Sequence, residues 1–411
     1  MLAPLRALVR FMKGRSIEVK LMPEYDRALT AVELFAGCGG LLLGSEYAGF
    51  KHVAAAEWNH DSCETLRCNQ SSGYGFLDGT RILEGDVRDI DWSFIEQDID
   101  LLAGGPPCQP FSLGGLARAA LDDRDMFPAF TNVLATLKPR AFIVENVKGL
   151  TRQAFADYYN YILFRLQHPL VQAHDGESWR DHLIRLERTH TNGFDDSLRY
   201  VVTPTVVDAA DYGVPQHRHR VFIVGFRSDV NASWAFPKKT HAKTPDKALG
   251  TRPWLTAGEA IYDLPKPYLD SNKRRKWPKG HVLQPGAKPY PGHTGSVMDE
   301  PAKAIKAGVH GVPGGENMFN LKNGEYRYMT VREAARIQCF PDHYEICGSW
   351  SEAMRQIGNA VPVELGRIVA SSVAIALRED SMRKALGLEI DTDYEALINE
   401  SESKPEKVTQ A

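Results

Sequence analysis

Short apolar runs that stop at turn residues, separated by helix-length stretches, recur through the first half of this chain. No other feature limits its fold as much. The runs are Ala31–Leu34, His52–Ala56, Ile99–Ala103 and Ala141–Val144, and helix-like segments such as Asp61–Asn69 and Phe127–Leu137 lie between them. Strands spaced this way cannot pair as hairpins, so the pattern predicts an α/β fold with a mostly parallel sheet and helices on both faces. Val201–Val207 and Arg220–Phe226 read as further strands that close the sheet near residue 226.

From residue 231 the pattern stops. Residues 231–330 hold 11 of the 24 prolines and 11 of the 34 glycines, with 16 Lys and Arg against 8 Asp and Glu. That is a local charge of +8, whereas the whole chain, with 49 basic and 52 acidic residues, carries −3 and the other 311 residues −11. The average argues against a polyanionic partner; the distribution argues for one. With Trp234, Trp254, Tyr262, Tyr268, Trp277 and Tyr290 interleaved, the segment reads as a small separate domain of loops and short strands. Helical periodicity returns at Thr330–Gln338, where Thr330-Val-Arg-Glu333 fits a capping box, and at Pro362–Leu377. The division expected is an N-terminal arm (1–29), an α/β body (30–230), an inserted domain (231–326), a return to the body (327–388) and a loose acidic tail (389–411).

No apolar run approaches the roughly 18 residues that span a bilayer, so a soluble, cytoplasmic protein is expected. Arg6, Arg10, Lys13 and Arg15 interrupt every candidate signal core, which favours a short helical arm or a true start at Met12 or Met22. Cys38, Cys63, Cys68, Cys108, Cys339 and Cys347 form no Cys-x-x-Cys pair, so no metal is expected and the thiols read as reduced. Five of them suit ordinary packing; Cys108 does not.

Two ends of the body carry chemistry. Glu33-Leu-Phe-Ala-Gly-Cys-Gly-Gly40 follows the first strand, and Gly37 and Gly39 permit a tight turn with close backbone approach to a ligand. A dinucleotide fingerprint wants glycine where Leu42 stands, which weakens a pyrophosphate reading. Glu57 follows at the end of the second strand, placed for ribose hydroxyls, and Asp86 in Gly85-Asp86-Val87 could accept from an adenine amine. Acids without a phosphate cradle suggest an adenosine without phosphates, as in S-adenosylmethionine. At the other end, Leu102-Ala-Gly-Gly-Pro-Pro-Cys108-Gln-Pro-Phe-Ser112 follows the fourth strand, at the edge where open α/β sheets bind ligands. Val144-Glu145-Asn146-Val147 brings a carboxylate to the same edge. In Gln216-His-Arg-His-Arg220, alternation sends Gln216, Arg218 and Arg220 to one face, where arginines beside a thiol would lower its pKa and bind anions.

With these residues in view, the chain resembles the cytosine-5 DNA methyltransferases. The matches occur in family order: Phe35-Ala-Gly-Cys-Gly-Gly40, Glu57-Trp58, Gly85-Asp86, Gly105-Pro-Pro-Cys-Gln109, Glu145-Asn-Val147, Gln216-x-Arg-x-Arg220, Arg332-Glu-x-Ala-Arg336 with Phe340-Pro-Asp342, and Gly358-Asn-Ala-Val-Pro362. The resemblance implies a Rossmann-like S-adenosylmethionine-dependent sheet interrupted by a target-recognition domain, and transfer of a methyl group to carbon 5 of a flipped-out cytosine in double-stranded DNA. It makes Cys108 the thiolate that adds to carbon 6. Glu145 would bind the ring at nitrogen 3 and the amine, Arg220 the carbonyl oxygen, and Arg218 phosphate and neighbouring side chains. Around the cofactor it implies Phe35, Gly37, Gly39, Glu57, Trp58, Asp86, Val87, Pro107 and Asn359, with Trp58 either against the adenine or packed in the core.

For DNA, the resemblance points to Gln109, Ser112, Arg124 and Gln216, with Ser112–Asp125 matching a loop that closes over the flipped base. The Lys273-Arg274-Arg275-Lys276 cluster reads as phosphate-contacting without sequence information. One departure is Ala304-Ile-Lys-Ala307, which lacks the threonine that usually helps to position the target. Another is a polar insert around His174–Ser197 with no functional account. An RNA cytosine-5 methyltransferase, a regulator that has lost catalysis and a generic adenosine-binding enzyme are the alternatives. The large basic, aromatic insertion, the retained Cys108 and Glu145, and the later motifs argue against them in turn. A monomer in a bacterial restriction-modification or other phage-defence system is the context expected.

Overall fold

The computed structural model describes residues 27–107, 125–192, 198–269, 278–291, 294–307, 317–321 and 324–385. Cys108, Gln109, Ser112, Arg124, Lys273, Arg274, Arg275 and Lys276 lie outside the described residues, as do most of the N-terminal arm and the acidic tail. In chain order the body contains β1 (Leu29–Leu34), α1 (Gly40–Tyr47), β2 (Phe50–Glu57), α2 (His60–Gln70), β3 (Arg81–Glu84), β4 (Leu101–Gly104) and α3 (Phe127–Leu137). These are followed by β5 (Ala141–Val147), α4 (Ala156–Gln167), α5 (Trp179–Asn192), β6 (Tyr200–Asp208), β7 (Gln216–His217) and β8 (His219–Arg227).

The main sheet has seven strands in the order β3-β2-β1-β4-β5-β8-β6. β1 to β5 pair in parallel, and β8 runs antiparallel between β5 and β6. β4 and most of β5 are buried on both faces, which is why they read as unbroken apolar runs rather than as alternating ones. One face carries Val32, Leu102, Phe142, Val144 and Ile223 against Phe130 and Leu134 of α3 and Ile162 and Leu166 of α4. The other carries Ala103, Ile143, Phe222 and Val224 against the last helix. Trp234 and Phe236 also pack on this second face, so the body's packing continues past residue 230.

The inserted segment pairs strands of two or three residues: β9 (His241–Ala242) with β10 (Arg252–Pro253), β11 (Ala302–Lys303) with β7, and β12 (Met318–Asn320) with β13 (Tyr326–Tyr328). A short helix, α6 (Ala257–Ile261), opens with a capping box at Thr256 and Glu259. The chain then re-enters the body through α7 (Val331–Ile337), α8 (Trp350–Asn359) and α9 (Val363–Ala385). Both hydrogen bonds of the expected Thr330–Glu333 capping box are present at the start of α7. The stretch Trp350–Ala385 contains a window long and apolar enough to cross a membrane, contrary to the sequence reading, and 67% of that window is buried inside the protein. Leu365, Val369, Val373 and Leu377 of α9 supply the apolar cover that the sheet's second face needs.

Candidate active site

The strand order reverses direction at β1, whose neighbours are β2 on one side and β4 on the other. At such a switch point the following loops part and leave a crevice outside the carboxyl edge. Leu34 is level with Gly104, and Gly104 with Val144. The loops that begin at Phe35 and Gly105 and the last residues of β5, from Glu145 to Val147, therefore lie at one edge.

At the cofactor end, Gly37 and Gly39 take positive φ of 54° and 85°, and Phe35 does so at 55° without being glycine. That backbone is sterically costly for Phe35 and marks a constrained turn. The turn delivers the Gly37 amide to Glu57 Oε2 at 2.8 Å, while the Asn59 amide donates to Oε1 at 2.9 Å. Glu57 is 8% exposed. Burial raises its pKa and the two amides counter that rise. Each oxygen keeps a lone pair for a hydroxyl. Trp58 is 75% exposed, which removes the core-packing alternative and leaves an open aromatic face beside Glu57. Nothing lies within 4 Å of a side chain built at Gly37, so the turn is open on its outer side. These features fit the adenosine half of S-adenosylmethionine. Asp86 fits less simply: the guanidinium of Arg88 spans both its oxygens, at 3.0 and 2.6 Å, and holds its carboxyl below the usual range. An adenine amine would have to share that carboxylate with Arg88. Val87 is buried in the core, Pro107 is half-buried and Asn359 is exposed at the end of α8.

At the end expected to hold the base, Arg220 Nε stands 2.7 Å from Glu145 Oε1. The contact is an ion pair without hydrogen-bond alignment, so among the described residues Oε1 is buried with no donor aimed at it. A buried carboxylate oxygen in that condition is suited to a ligand donor. Asn146 Nδ2 donates to the Pro106 carbonyl at 2.9 Å, which ties the end of β5 to the chain entering Cys108.

Two expected DNA-facing side chains behave otherwise. Gln216 is fully buried and Arg218 is 1% exposed. Arg218 donates from Nη1 to the Ile305 carbonyl at 3.0 Å, and from Nη2 to those of Gly358 at 2.7 Å and Ala360 at 3.1 Å. Burial, then the neighbouring Arg220, disfavours its charge. Gln216 accepts from the Ile305 amide at 3.0 Å and donates to Gln338 Oε1 at 3.2 Å, and Gln338 in turn donates to the Ile357 and Ala360 carbonyls. A phosphate cannot reach this junction. Its partners are Ile305, late in the inserted segment, and the end of α8 that carries Asn359. A side chain at Gly358 would meet the Ala307 amide at 2.5 Å, so only glycine allows that approach. Gln338 was not anticipated, because its partners lie on two remote segments, at Gln216 and at Ile357–Ala360.

A profile of the family described as C-5 cytosine-specific DNA methylase matches residues 29–168 and 187–374. The chain belongs to that family. It is a DNA cytosine-5 methyltransferase, and S-adenosylmethionine and DNA are the substrates of the family. The Type II methyltransferase M.NgoPII of Neisseria gonorrhoeae is 31% identical over 85% of this chain and 97% of its own length. M.AplI of Arthrospira platensis is 31% identical over 89% and 91%. Among solved structures, the Dnmt2 methyltransferase of S. pombe aligns with a TM-score of 0.54 at 17% identity, over 87% of this chain and 99% of that one. At that identity the likeness concerns the fold alone.

The family profile leaves residues 169–186 unmatched, a stretch that overlaps the first half of the insert around His174–Ser197. There the methyltransferase folds α5 onto α4. His182 Nδ1 meets the Tyr161 hydroxyl at 2.9 Å, and His168 Nε2 meets His190 Nδ1 at 3.0 Å. Trp179 packs edge-on to Tyr158, whose hydroxyl binds Asp125, the first described residue after Arg124. Among the described residues no cluster of three or more metal-ligating side chains occurs.

Proposed function

We propose that this methyltransferase acts through a covalent adduct between Cys108 and carbon 6 of a cytosine flipped out of double-stranded DNA. Carbon 5 is too electron-poor to attack a sulfonium unaided. Addition of the thiolate at carbon 6 forms an S–C bond and pushes the ring electrons toward carbon 5 and the carbonyl. Glu145 holds nitrogen 3 and the exocyclic amine, and Arg220 holds the carbonyl oxygen, so the displaced charge is met by fixed partners. S-adenosylmethionine would supply the electrophilic methyl group to carbon 5, its S–CH3 bond breaking to leave S-adenosylhomocysteine. Loss of the carbon 5 proton to a base then lets the thiolate leave.

Phe35, Gly37, Gly39, Glu57, Trp58, Asp86, Val87, Pro107 and Asn359 form the cofactor site. Glu57 takes the ribose, Trp58 stacks on the adenine, and Val87 acts as packing beneath it. Gln109, Ser112, Arg124 and the Lys273–Lys276 cluster meet DNA. Gln216 and Arg218 act from the interior instead. The enzyme works as a cytoplasmic monomer in a bacterial restriction-modification or other phage-defence system, in keeping with Type II relatives of matching length. The observation that carries the reading is the Arg220–Glu145 pair, with its undirected buried oxygen, at the strand edge from which the chain runs to Cys108. Cys108→Ala is expected to abolish transfer of labelled methyl groups to DNA and trapping on DNA containing 5-fluorocytosine. Substantial residual transfer would overturn the mechanism.

A further inference from the structure

The turn that follows β6 lies just outside the motif strand Gln216–Arg220, yet it touches both that strand and the entry of the recognition segment. Asp208 is the last residue of β6. Its Oδ1 accepts the Arg218 amide at 2.9 Å and the Ala210 amide at 3.3 Å. Its Oδ2 lies 2.7 Å from His217 Nδ1 and 3.7 Å from His219 Nε2. The Ala209 amide donates back to the Arg218 carbonyl at 3.0 Å.

Arg218 is where one strand changes sheets. Residues from His219 onward pair with β5 and β6, whereas Gln216 and His217 pair with β11 of the recognition segment. A peptide at such a crossover loses its ladder partners, and an unpaired backbone group would be costly at this depth. Asp208 and Ala209 replace the missing neighbour: a carboxylate oxygen takes the Arg218 N–H, and an amide satisfies its carbonyl. The same turn seats the entry of the recognition segment. Asp211 accepts from Trp254 Nε1 at 3.0 Å, pairs with Lys239 at 2.7 Å, and offers its carbonyl to the Thr240 amide at 3.0 Å. The His217 ring meets Trp254 edge-on at 4.6 Å. Helix-capping by Asp208 would explain only the Ala210 contact.

We propose that Asp208 is a positioning residue for methyl transfer. By fixing the kink at Arg218, it sets where Arg220 stands against Glu145 and where the recognition segment sits on the body, so the two placements are made together. The inference rests on the assignment of Arg220 and Glu145 to the target base.

The test measures single-turnover methyl transfer at saturating DNA and S-adenosylmethionine, together with the Kd for S-adenosylmethionine of each full-length variant. Asp208→Ala is expected to slow transfer about 10- to 100-fold, the penalty of a misplaced reacting group, with a cofactor Kd within about threefold of wild type. Asp208→Asn keeps an oxygen for the two amides and is expected to recover most of the rate. Asp208→Glu keeps the charge but displaces the oxygens, and is expected to fold and to lose at least about fivefold, which tests the idea even where the alanine variant does not fold. Wild-type rates in Asp208→Ala or Asp208→Glu overturn the proposal. So does an asparagine variant as slow as the alanine one, or a loss of cofactor affinity that parallels the loss of rate. Arg220→Ala run alongside separates the two readings: an undiminished rate there refutes the site assignment itself, whereas a large loss there beside a normal Asp208→Ala refutes only the inference.

Discussion

At the cofactor edge two of the residues proposed to meet a ligand stand open beside the buried Glu57: Trp58 is 75% exposed, and Asn359 lies on the surface at the end of α8. On the Gln216–Arg220 strand two of three such residues are closed, with Gln216 and Arg218 buried and only Arg220 left beside Glu145. Both regions were read from local pattern. The cofactor turn is a local object: a glycine turn, an acid at the end of the next strand and an aromatic beside it, all set by their own strands. The 216–220 strand crosses from one sheet to another. Its alternation gives the face each residue takes but not which other segment covers that face. Equal spacing along a strand therefore does not mean equal chemistry.

The largest effects expected separate the two arginines. Arg220→Ala should slow single-turnover transfer by about two to three orders of magnitude, as loss of a fixed electrostatic partner does, and leave thermal stability nearly unchanged. Arg218→Ala should instead lower stability by about 3 kcal/mol or more, since the carbonyls of Ile305 and Gly358 lose this buried donor and that of Ala360 keeps Gln338. Denaturant melts beside rate measurements check both, and a stable Arg218→Ala that fails only in DNA binding would restore the phosphate role. Next in size, Trp58→Ala should weaken S-adenosylmethionine binding about tenfold, the value of one stacked base, without a change in melting temperature. A destabilised variant with normal affinity would return Trp58 to a packing role.

The smallest expected effect lies in the insert and concerns pH. Burial, and then the neighbouring His190, push the pKa of His168 down from 6.5 to about 4. The folded state thus favours the neutral ring, and the unfolded chain binds the proton first as pH falls. The contribution is complete above about pH 6.5 and is lost progressively between 6.5 and about 4. Burial lowers the pKa of His182 as well, so its sign is the same. The protection factors of the amides in α5, corrected for the slower intrinsic exchange in acid, should therefore fall on acidification through that window, ahead of those of the central strands. Protection that holds constant to pH 5 would contradict it.

Much of this enzyme was legible before any coordinates. The helix Phe127–Leu137 lies within the bounds expected, and Tyr200–Asp208 and His219–Arg227 extend the expected strands by a residue at each end. Periodicity and turn residues are properties of neighbouring positions, so a chain read in order shows them. β5 runs to Val147, past the apolar run Ala141–Val144, because β8 offers it a ladder partner as far as Arg220.

The ordered motifs, with their glycine turn and acids, were likewise determined by the sequence alone, because each occupies a few consecutive residues. Only the tertiary structure decided that Arg218 would be enclosed by Ile305, Gly358 and Ala360, that Gln338 would join it, and that Asp208 would stand at the kink. Those contacts join positions 10 to 142 residues apart. What a buried side chain does depends on which distant backbone groups need a partner, and no local pattern records that need.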